Sequence, residues 1–170
     1  MKPLPALAAA AALLATPTLA AAPAAAPAAP PAGSVTVIGP SGQKVVLSEA
    51  DLDDLPQADV KVTHGGKTAL YQGPPLSAVM REAGTPTGPM AHGKSMRDYV
   101  VVRGQDGYAA TLALAETDED LSATPVILAD KENGAALPAH EGAYRLIVAD
   151  DLKPWREVRH VASIEVTQAR

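Results

Sequence analysis

The sequence predicts one α+β domain with a β-rich core and a few short helices. Many apolar runs are only a few residues long, and glycine, proline, asparagine or aspartate separates them, which is the pattern of short strands joined by tight turns. Few segments show the apolar spacing of a helix. Most connections are too short for the crossover of a parallel βαβ unit, so the chain is assigned to the α+β class.

Eight or nine short strands are predicted, each bounded by turn-forming residues. In chain order they cover residues 35–37, 45–47, 60–62, 70–71, 99–102, 108–112, 126–129, 144–148 and 161–166. The turns between them include Gly65-Gly66, Asp106-Gly107 and Asn133-Gly134. Residues 85–94 are rich in proline and glycine and are interpreted as a loop.

Two short helices are predicted between these strands. Ser48 and Asp51 form the pattern of a capping box, which begins a helix that continues to about Leu55. The second helix is expected to begin near Pro75, which fits a first helical turn, and to end at Gly84.

The N-terminus has the pattern of an export signal. A positive start at Met1-Lys2 precedes an apolar, alanine-rich stretch over residues 4–14, and residues 18–20 offer the small side chains that a signal peptidase reads. The apolar run is about a dozen residues long, whereas a spanning helix needs roughly 20. We therefore predict a signal peptide over residues 1–22 and a periplasmic or secreted protein. The alternative is a disordered Ala/Pro tail of a cytosolic protein.

Alanine and proline also dominate the segment that follows. Of the first 33 residues, 16 are alanine and 7 are proline. This composition favours extended polyproline conformations and makes a semi-rigid tether. We predict an Ala/Pro linker over residues 23–33 and one folded domain over residues 34–170.

Charge and cysteine content exclude several protein classes. The chain has 14 basic and 19 acidic residues and no long Lys/Arg run, so it lacks the basic surface of a nucleic-acid-binding protein. No second apolar stretch of roughly 18 residues follows the signal, so no membrane span is expected in the mature chain. The sequence contains no cysteine, which excludes disulfides, thiolate metal sites and cysteine nucleophiles.

No local catalytic motif stands out. The four histidines are not spaced at i, i+4, so no helix-borne zinc motif is present. Neither the Gly-x-Ser-x-Gly elbow of a serine hydrolase nor a glycine-rich phosphate loop occurs.

Four short segments agree in order and spacing with one known family. They are YQGPPL at 71–76 with Ala83-Gly84; DYVVV at 98–102 with DGY at 106–108; ILA at 127–129 with Asn133-Gly134 and Leu137; and GAYRLIV at 142–148 with Trp155, Val158 and Ile164. Together they resemble the sulfite-oxidase-type molybdopterin-binding domain over about residues 60–166. The resemblance implies a β-rich mixed-sheet or barrel-like core with short helices, and a cofactor cleft formed by loops.

The resemblance also implies a chemistry that this chain is not equipped to perform. Family members bind molybdenum through the dithiolene of a pterin and one cysteine thiolate, and transfer an oxygen atom on sulfite or sulfoxides. The thiolate is expected at about residues 62–66, which here are Val-Thr-His-Gly-Gly. A thiolate is a soft anionic donor, and neutral His64 is not an equivalent ligand. We therefore expect an oxidoreductase-like domain without molybdenum catalysis.

By the same resemblance, three residues are candidates for cofactor binding. Arg145 matches the arginine that helps to hold the pterin phosphate, His140 lies five residues before it, and His64 lies where the thiolate is expected. Asp150-Asp151 follow the Arg145 strand and would repel a phosphate. The alternative role for Arg145 is structural, as an arginine at a strand end that pairs with Glu141.

Two functional hypotheses follow. In the first, the chain is an exported binding or interaction module for a small anionic ligand or a partner protein. In the second, it is a pterin- or other anion-binding redox protein that works with a partner. A third interpretation, a small all-β protein unrelated to the family, requires that His64, His140 and Arg145 do not meet at one cleft. The feature that separates the hypotheses is whether a cavity bounded by the His64 loop and the Arg145 strand is open and positive or filled by side chains.

Overall fold

Eleven strands arranged in three sheets form the framework of residues 33–169, the range that the computed structural model describes. The strands are β1 (Val35–Ile38), β2 (Lys44–Leu47), β3 (Ala58–His64), β4 (Lys67–Gly73), β5 (Tyr99–Gly104), β6 (Ala109–Ala113), β7 (Val126–Ala129), β8 (Lys131–Glu132), β9 (Ala135–Ala136), β10 (Arg145–Val148) and β11 (Val161–Thr167). The α-helices are α1 (Glu49–Asp53) and α2 (Leu76–Arg81), and short 3-10 helices cover Gly88–Met90, Gly93–Arg97, Leu114–Thr117 and Pro154–Arg156.

The largest sheet joins the two ends of the domain. Its strand order is β2-β1-β11-β5-β6, and β1 pairs with β11 in parallel while the other neighbours are antiparallel. Buried residues alternate with more exposed ones along β5 and β6, so that one face of the sheet is buried. The last strand thus lies in the middle of the sheet, between the first strand and β5.

The other two sheets are linked where β4 ends beside β7. The order in the four-stranded sheet is β3-β4-β8-β9, and β10 pairs with β7 in the third sheet. The Leu128 amide donates to the Pro74 carbonyl over 2.9 Å. At Gly73 the backbones approach so closely that a Cβ atom would lie 2.2 Å from the Leu128 carbonyl oxygen. Glycine is therefore required at this junction.

Strands β7 and β10 are buried on both faces and separate two apolar clusters. Leu128 and Leu146 belong to the larger cluster, which also contains the buried faces of α2 and the five-stranded sheet. Ile127 and Ile147 belong to the smaller cluster beneath the β3–β4 hairpin. This two-sided burial explains why both strands are continuous apolar runs rather than alternating patterns.

The predicted α+β class and the predicted strands are confirmed, with differences in detail. Sequence patterns located the turn at Asn133-Gly134, and the structure adds the two-residue strands β8 and β9 on either side of it. The capping box of Ser48 and Asp51 is present, but α1 ends at Asp53, earlier than expected. The sheets formed by residues 33–169 do not close into a barrel, because β2 and β6 are sheet edges.

The predictions for the N-terminal segment fall outside this structure. The signal peptide over residues 1–22 and nearly all of the linker over residues 23–33 precede the described range, so both stay predictions. None of the helices within residues 33–169 is long and apolar enough to cross a membrane.

Candidate functional site

A buried ion cluster surrounds Arg145 at the beginning of β10. The side chain is only 7% exposed. Its Nη1 atom lies 2.8 Å from Glu141 Oε2, and its Nη2 atom donates to Glu157 Oε2. Both glutamates are themselves buried. The single positive charge of Arg145 is therefore matched by two carboxylates inside the protein.

Tyr71 on β4 completes the surroundings of the guanidinium. The Arg145 guanidinium carbon lies 5.4 Å from the centre of the Tyr71 ring, and Nη1 donates to the hydroxyl over 3.3 Å. Burial raises the pKa of Tyr71, although the nearby positive charge of Arg145 opposes this. Burial by itself lowers the pKa of Arg145, but Glu157, Tyr71 and Glu141 together raise it above its ordinary value. The guanidinium accordingly stays charged.

Both predicted histidines lie against the same carboxylates. His64, the last residue of β3, places its Nε2 atom 2.9 Å from Glu157 Oε1. His140 is exposed, and its Nε2 atom lies 3.2 Å from Glu141 Oε1. The structure thus brings His64, His140 and Arg145 to one cluster, as the resemblance implied. Their assignment as cofactor-binding residues stays a prediction.

The carboxylates that hold this cluster together were not identified from the sequence. Glu157 follows the 3-10 helix Pro154–Arg156 and is 93 residues from His64. Arg159 also joins the cluster, because its Nε atom lies 2.9 Å from Glu141 Oε2. The sequence signal for this inward turn is the apolar residue Val158, which follows Glu157 and is buried.

A surface cleft of about 310 Å³ opens beside the cluster. The cleft is lined by Asp106, Tyr108, Arg145, Pro154, Trp155, Glu157 and Arg159. Two arginines and two carboxylates thus contribute to its wall, and their formal charges cancel. Trp155 is 74% exposed, and its carbonyl accepts a hydrogen bond from the Tyr108 hydroxyl. The cleft is open, as an anion site requires, but it is not positive.

Asp150 and Asp151 form hydrogen bonds with neighbouring side chains. Asp151 receives two from Arg156, of 2.8 Å from Nε and 2.6 Å from Nη2, and these lower the pKa of the Asp151 carboxyl. Asp150 Oδ2 accepts from Thr124 Oγ1 over 3.0 Å. Neither aspartate lines the cleft beside Arg145, and their repulsion of a phosphate stays a prediction.

The residues at this site do not fit a molybdenum-bound pterin. The chain has no cysteine, and His64, at the end of β3 where the thiolate is expected, is engaged with Glu157. The guanidinium edge of Arg145 that would face a phosphate already faces Glu157 and Glu141. Among residues 33–169, no group of three or more histidine or carboxylate side chains is arranged to hold a metal ion.

Comparisons with known proteins identify the family of this domain. The family model for the oxidoreductase molybdopterin binding domain matches residues 25–170. The fold is similar to the crystal structure of the sulfane dehydrogenase SoxCD from Paracoccus pantotrophus, with a TM-score of 0.59 and 18% sequence identity. That match covers 80% of this chain and 38% of the SoxCD chain.

No curated protein matches the sequence. The family model spans most of the chain, so the interpretation as an unrelated all-β protein is wrong. The strand order that places His64, His140 and Arg145 together is consistent with this assignment. The chain therefore belongs to the oxidoreductase molybdopterin-binding domain family.

Proposed function

We propose that this chain is an exported member of the family that does not perform molybdenum catalysis and acts as a binding or interaction module. The observation that carries the proposal is the internal neutralisation of Arg145. A buried arginine held by two carboxylates gains little from an incoming anion, because that anion must displace one of them. The N-terminal pattern of residues 1–22 supports export.

The surface beside the cleft supports a binding role. Leu152 and Trp155 are 93% and 74% exposed, and Tyr108 is also exposed. Large apolar side chains in this position lose water contacts when another molecule covers them, and tryptophan and tyrosine are enriched at binding interfaces. We expect a partner to bury Trp155 against the mouth of the cleft.

Metal analysis of the purified protein tests the loss of catalysis. The full chain is expressed in a host that makes the molybdenum cofactor, with a cysteine-containing member of the family prepared in parallel as the control. Molybdenum is then measured by elemental analysis. We expect well under one molybdenum atom per chain, against near-stoichiometric metal in the control. A stoichiometric metal content together with a pterin absorption band would contradict the proposal.

A second candidate function is anion binding in a redox protein that works with a partner. It is favoured by one observation: Arg145 Nε is buried without a hydrogen-bond partner among the described residues, while Arg145 and Arg159 both line the cleft. An anion entering the cleft would provide the missing acceptor.

Titration with inorganic phosphate distinguishes this candidate from the first. Calorimetry or chemical shifts of the arginine side chains report binding to the full chain. Saturable binding that Arg159→Gln weakens, and that Arg103→Gln on the exposed side of β5 leaves unchanged, would favour the anion-binding function. The absence of saturable binding is the result expected for the interaction module.

A further inference from the structure

A second cleft, on a different part of the surface, carries a concentration of negative charge. It lies between helix α1 and the segments around β8, β9 and the start of β10, and its volume is about 350 Å³. It is lined by Glu49, Asp53, Asp130, Lys131, Ala136, Leu137, Gly142, Ala143 and Tyr144. Three carboxylates and one ammonium give this wall a formal charge of −2. The cleft shares none of its lining residues with the cleft beside Arg145.

Two polar groups in this cleft lack the partners that buried groups normally have. Tyr144 is only 4% exposed, and its hydroxyl makes no hydrogen bond within residues 33–169. Asp130 Oδ1 is also buried and has no hydrogen-bond partner in the same range. Buried polar atoms are nearly always paired, so the unpaired Asp130 oxygen, with the Tyr144 hydroxyl in the same cleft, offers acceptors to a donor that enters the cleft.

The Tyr144 hydroxyl faces the three carboxylates. Burial raises the pKa of Tyr144 to about 12, and the negative charges of Glu49, Asp130 and Asp53 add to this effect. At neutral pH the hydroxyl therefore keeps its proton. A neutral hydroxyl accepts a hydrogen bond from a cationic donor, whereas a phenolate would add a further charge to the cleft.

The spacing of the carboxylates favours an organic cation over a metal ion. The carboxylates and histidines of residues 33–169 include no group of three close enough to share one ion. The lining of the cleft also includes the apolar residues Leu137 and Ala136. Carboxylates beside apolar side chains fit a ligand that has a charged end and an aliphatic chain. The volume is within the range of about 300–1,000 Å³ that is usual for small-molecule sites.

Lys131 already forms a contact between an ammonium group and a carboxylate in this cleft. Lys131 Nζ lies 2.9 Å from Asp130 Oδ2, and this hydrogen bond with the charge of Asp130 raises the pKa of Lys131. The Lys131 side chain is largely exposed, so little is lost when the ammonium moves away into water. It is a weak internal competitor for any other ammonium group.

We propose that this cleft binds an alkylammonium ligand, with an ammonium group held by Asp130, Asp53 and the Tyr144 hydroxyl and with its aliphatic chain over Leu137. The negative wall attracts a cation, which a free aliphatic diamine supplies with two positive charges and the lysine side chain of another protein supplies with one. Both ligands present an alkylammonium group to the same recognition chemistry. The site does not depend on the function proposed above.

Calorimetric titration of the full chain with 1,4-diaminobutane tests the proposal, with 1,4-butanediol as the uncharged ligand of the same length. We expect saturable binding of the diamine and none of the diol. Asp53→Asn and Asp130→Asn should each weaken binding about tenfold, which corresponds to one charge-assisted hydrogen bond. Asp54→Asn is the matched control, because Asp54 is the next carboxylate along the chain but does not line the cleft. It should leave binding unchanged.

Two further variants separate recognition from a general effect of charge or stability. Tyr144→Phe keeps the ring and should weaken binding several-fold. Lys131→Gln removes the internal competitor and should strengthen binding several-fold, a change that loss of folding does not produce. Equal weakening by Asp53→Asn and Asp54→Asn, or binding of Mg²⁺ as strong as that of the diamine, would overturn the proposal. So would the absence of saturable binding by either amine probe.

The source of the ammonium group is distinguished with a second probe, Nα-acetyl-lysine methylamide. Tighter binding of the diamine would assign the cleft to free diamines. Tighter binding of the lysine derivative, with the same response to Asp53→Asn and Lys131→Gln, would assign it to a lysine side chain of a partner. Both results support an alkylammonium site.

Discussion

Arg145 is the residue on which the interpretation of the site depends. An arginine at a cleft wall attracts anions, but one that is buried between two carboxylates is part of the packing. In this chain Glu141 and Glu157 provide both negative charges, and Tyr71 covers one face of the guanidinium. Arg145 is therefore engaged by groups of the protein itself, and its assignment as a cofactor-binding residue stays a prediction.

Truncation of this side chain should destabilise the domain. Arg145→Ala removes the arginine that contacts the buried Glu157 and one of the two arginines that contact Glu141. Removal of one partner from a buried pair typically costs about 3–5 kcal/mol. We expect a loss of this size in the free energy of unfolding, measured by urea denaturation at neutral pH. Arg97→Ala is the control, because Arg97 is exposed at the end of the 3-10 helix before β5, and its loss should cost no more than about 0.5 kcal/mol.

A loss below about 1 kcal/mol for Arg145→Ala would contradict the buried ion cluster. Such a small loss would instead indicate that the guanidinium is available to bind a ligand. The experiment thus separates the two roles that the sequence left open for this arginine, namely pairing with Glu141 and holding an anion.

At the level of elements, the segment between β10 and β11 is stabilised by a salt bridge rather than by regular pairing. Asp151 and Arg156 are joined by two hydrogen bonds, which bring the chain after β10 against the 3-10 helix Pro154–Arg156. That helix precedes Glu157, so the salt bridge also positions the carboxylate that binds Arg145.

This salt bridge should make part of the stability depend on pH. Hydrogen bonds from Arg156 lower the pKa of Asp151 below 3.8 in the folded protein. When folding lowers the pKa of a carboxyl, the ionised carboxylate stabilises the folded protein. This contribution is complete above the pKa of the unfolded state and is lost as the pH falls through the pKa of the folded state. Asp151→Asn should therefore lower the free energy of unfolding by about 1 kcal/mol at pH 7. The difference in this free energy between the variant and the unmodified protein should shrink below about pH 4.

Urea denaturation of both proteins at pH 7 and pH 3 measures this difference. Asp54→Asn, at the exposed end of α1, is the control and should differ little from the unmodified protein at either pH. A cost for Asp151→Asn that is the same at both pH values would show that the pair contributes through packing rather than through charge.

The elements were predictable where local chemistry determines them. The turns at Asp106-Gly107 and Asn133-Gly134 and the capping box of Ser48 depend on residues that are near one another in the chain, and all are present. Strands β8 and β9 have only two residues each, which is too short for an apolar period to show. Their pairing with β4 depends on a contact that no local pattern encodes.

The site was predictable only in part, for the same reason. His64, His140 and Arg145 were located by family resemblance, and they do meet at one cluster. Glu157 neutralises the site, yet it is 93 residues from His64 and is joined to it only by the folded chain. The sign of the charge at a cleft is a property of tertiary contacts, and a single sequence gives no direct measure of it.

At the scale of the whole molecule, the fold depends on its last strand. Strand β11 lies between β1 and β5 and is the element that joins the first residues of the domain to its middle. Its inward-facing residues Val161, Ile164 and Val166 are almost completely buried in the larger cluster. Without β11, β1 and β5 would each lose one of their two hydrogen-bonded neighbours.

A chain that ends at His160 should therefore fail to fold cooperatively. Burial of three such side chains contributes about 5–9 kcal/mol, which is comparable with the whole stability of a typical domain, about 5–15 kcal/mol. A chain that ends at Thr167 is the control, because it keeps all of β11. We expect a cooperative urea transition for the longer chain and none for the shorter one. A cooperative transition in the chain ending at His160 would mean that β1 and β5 form a stable sheet without β11, and that the parallel pairing of β1 with β11 does not determine the fold.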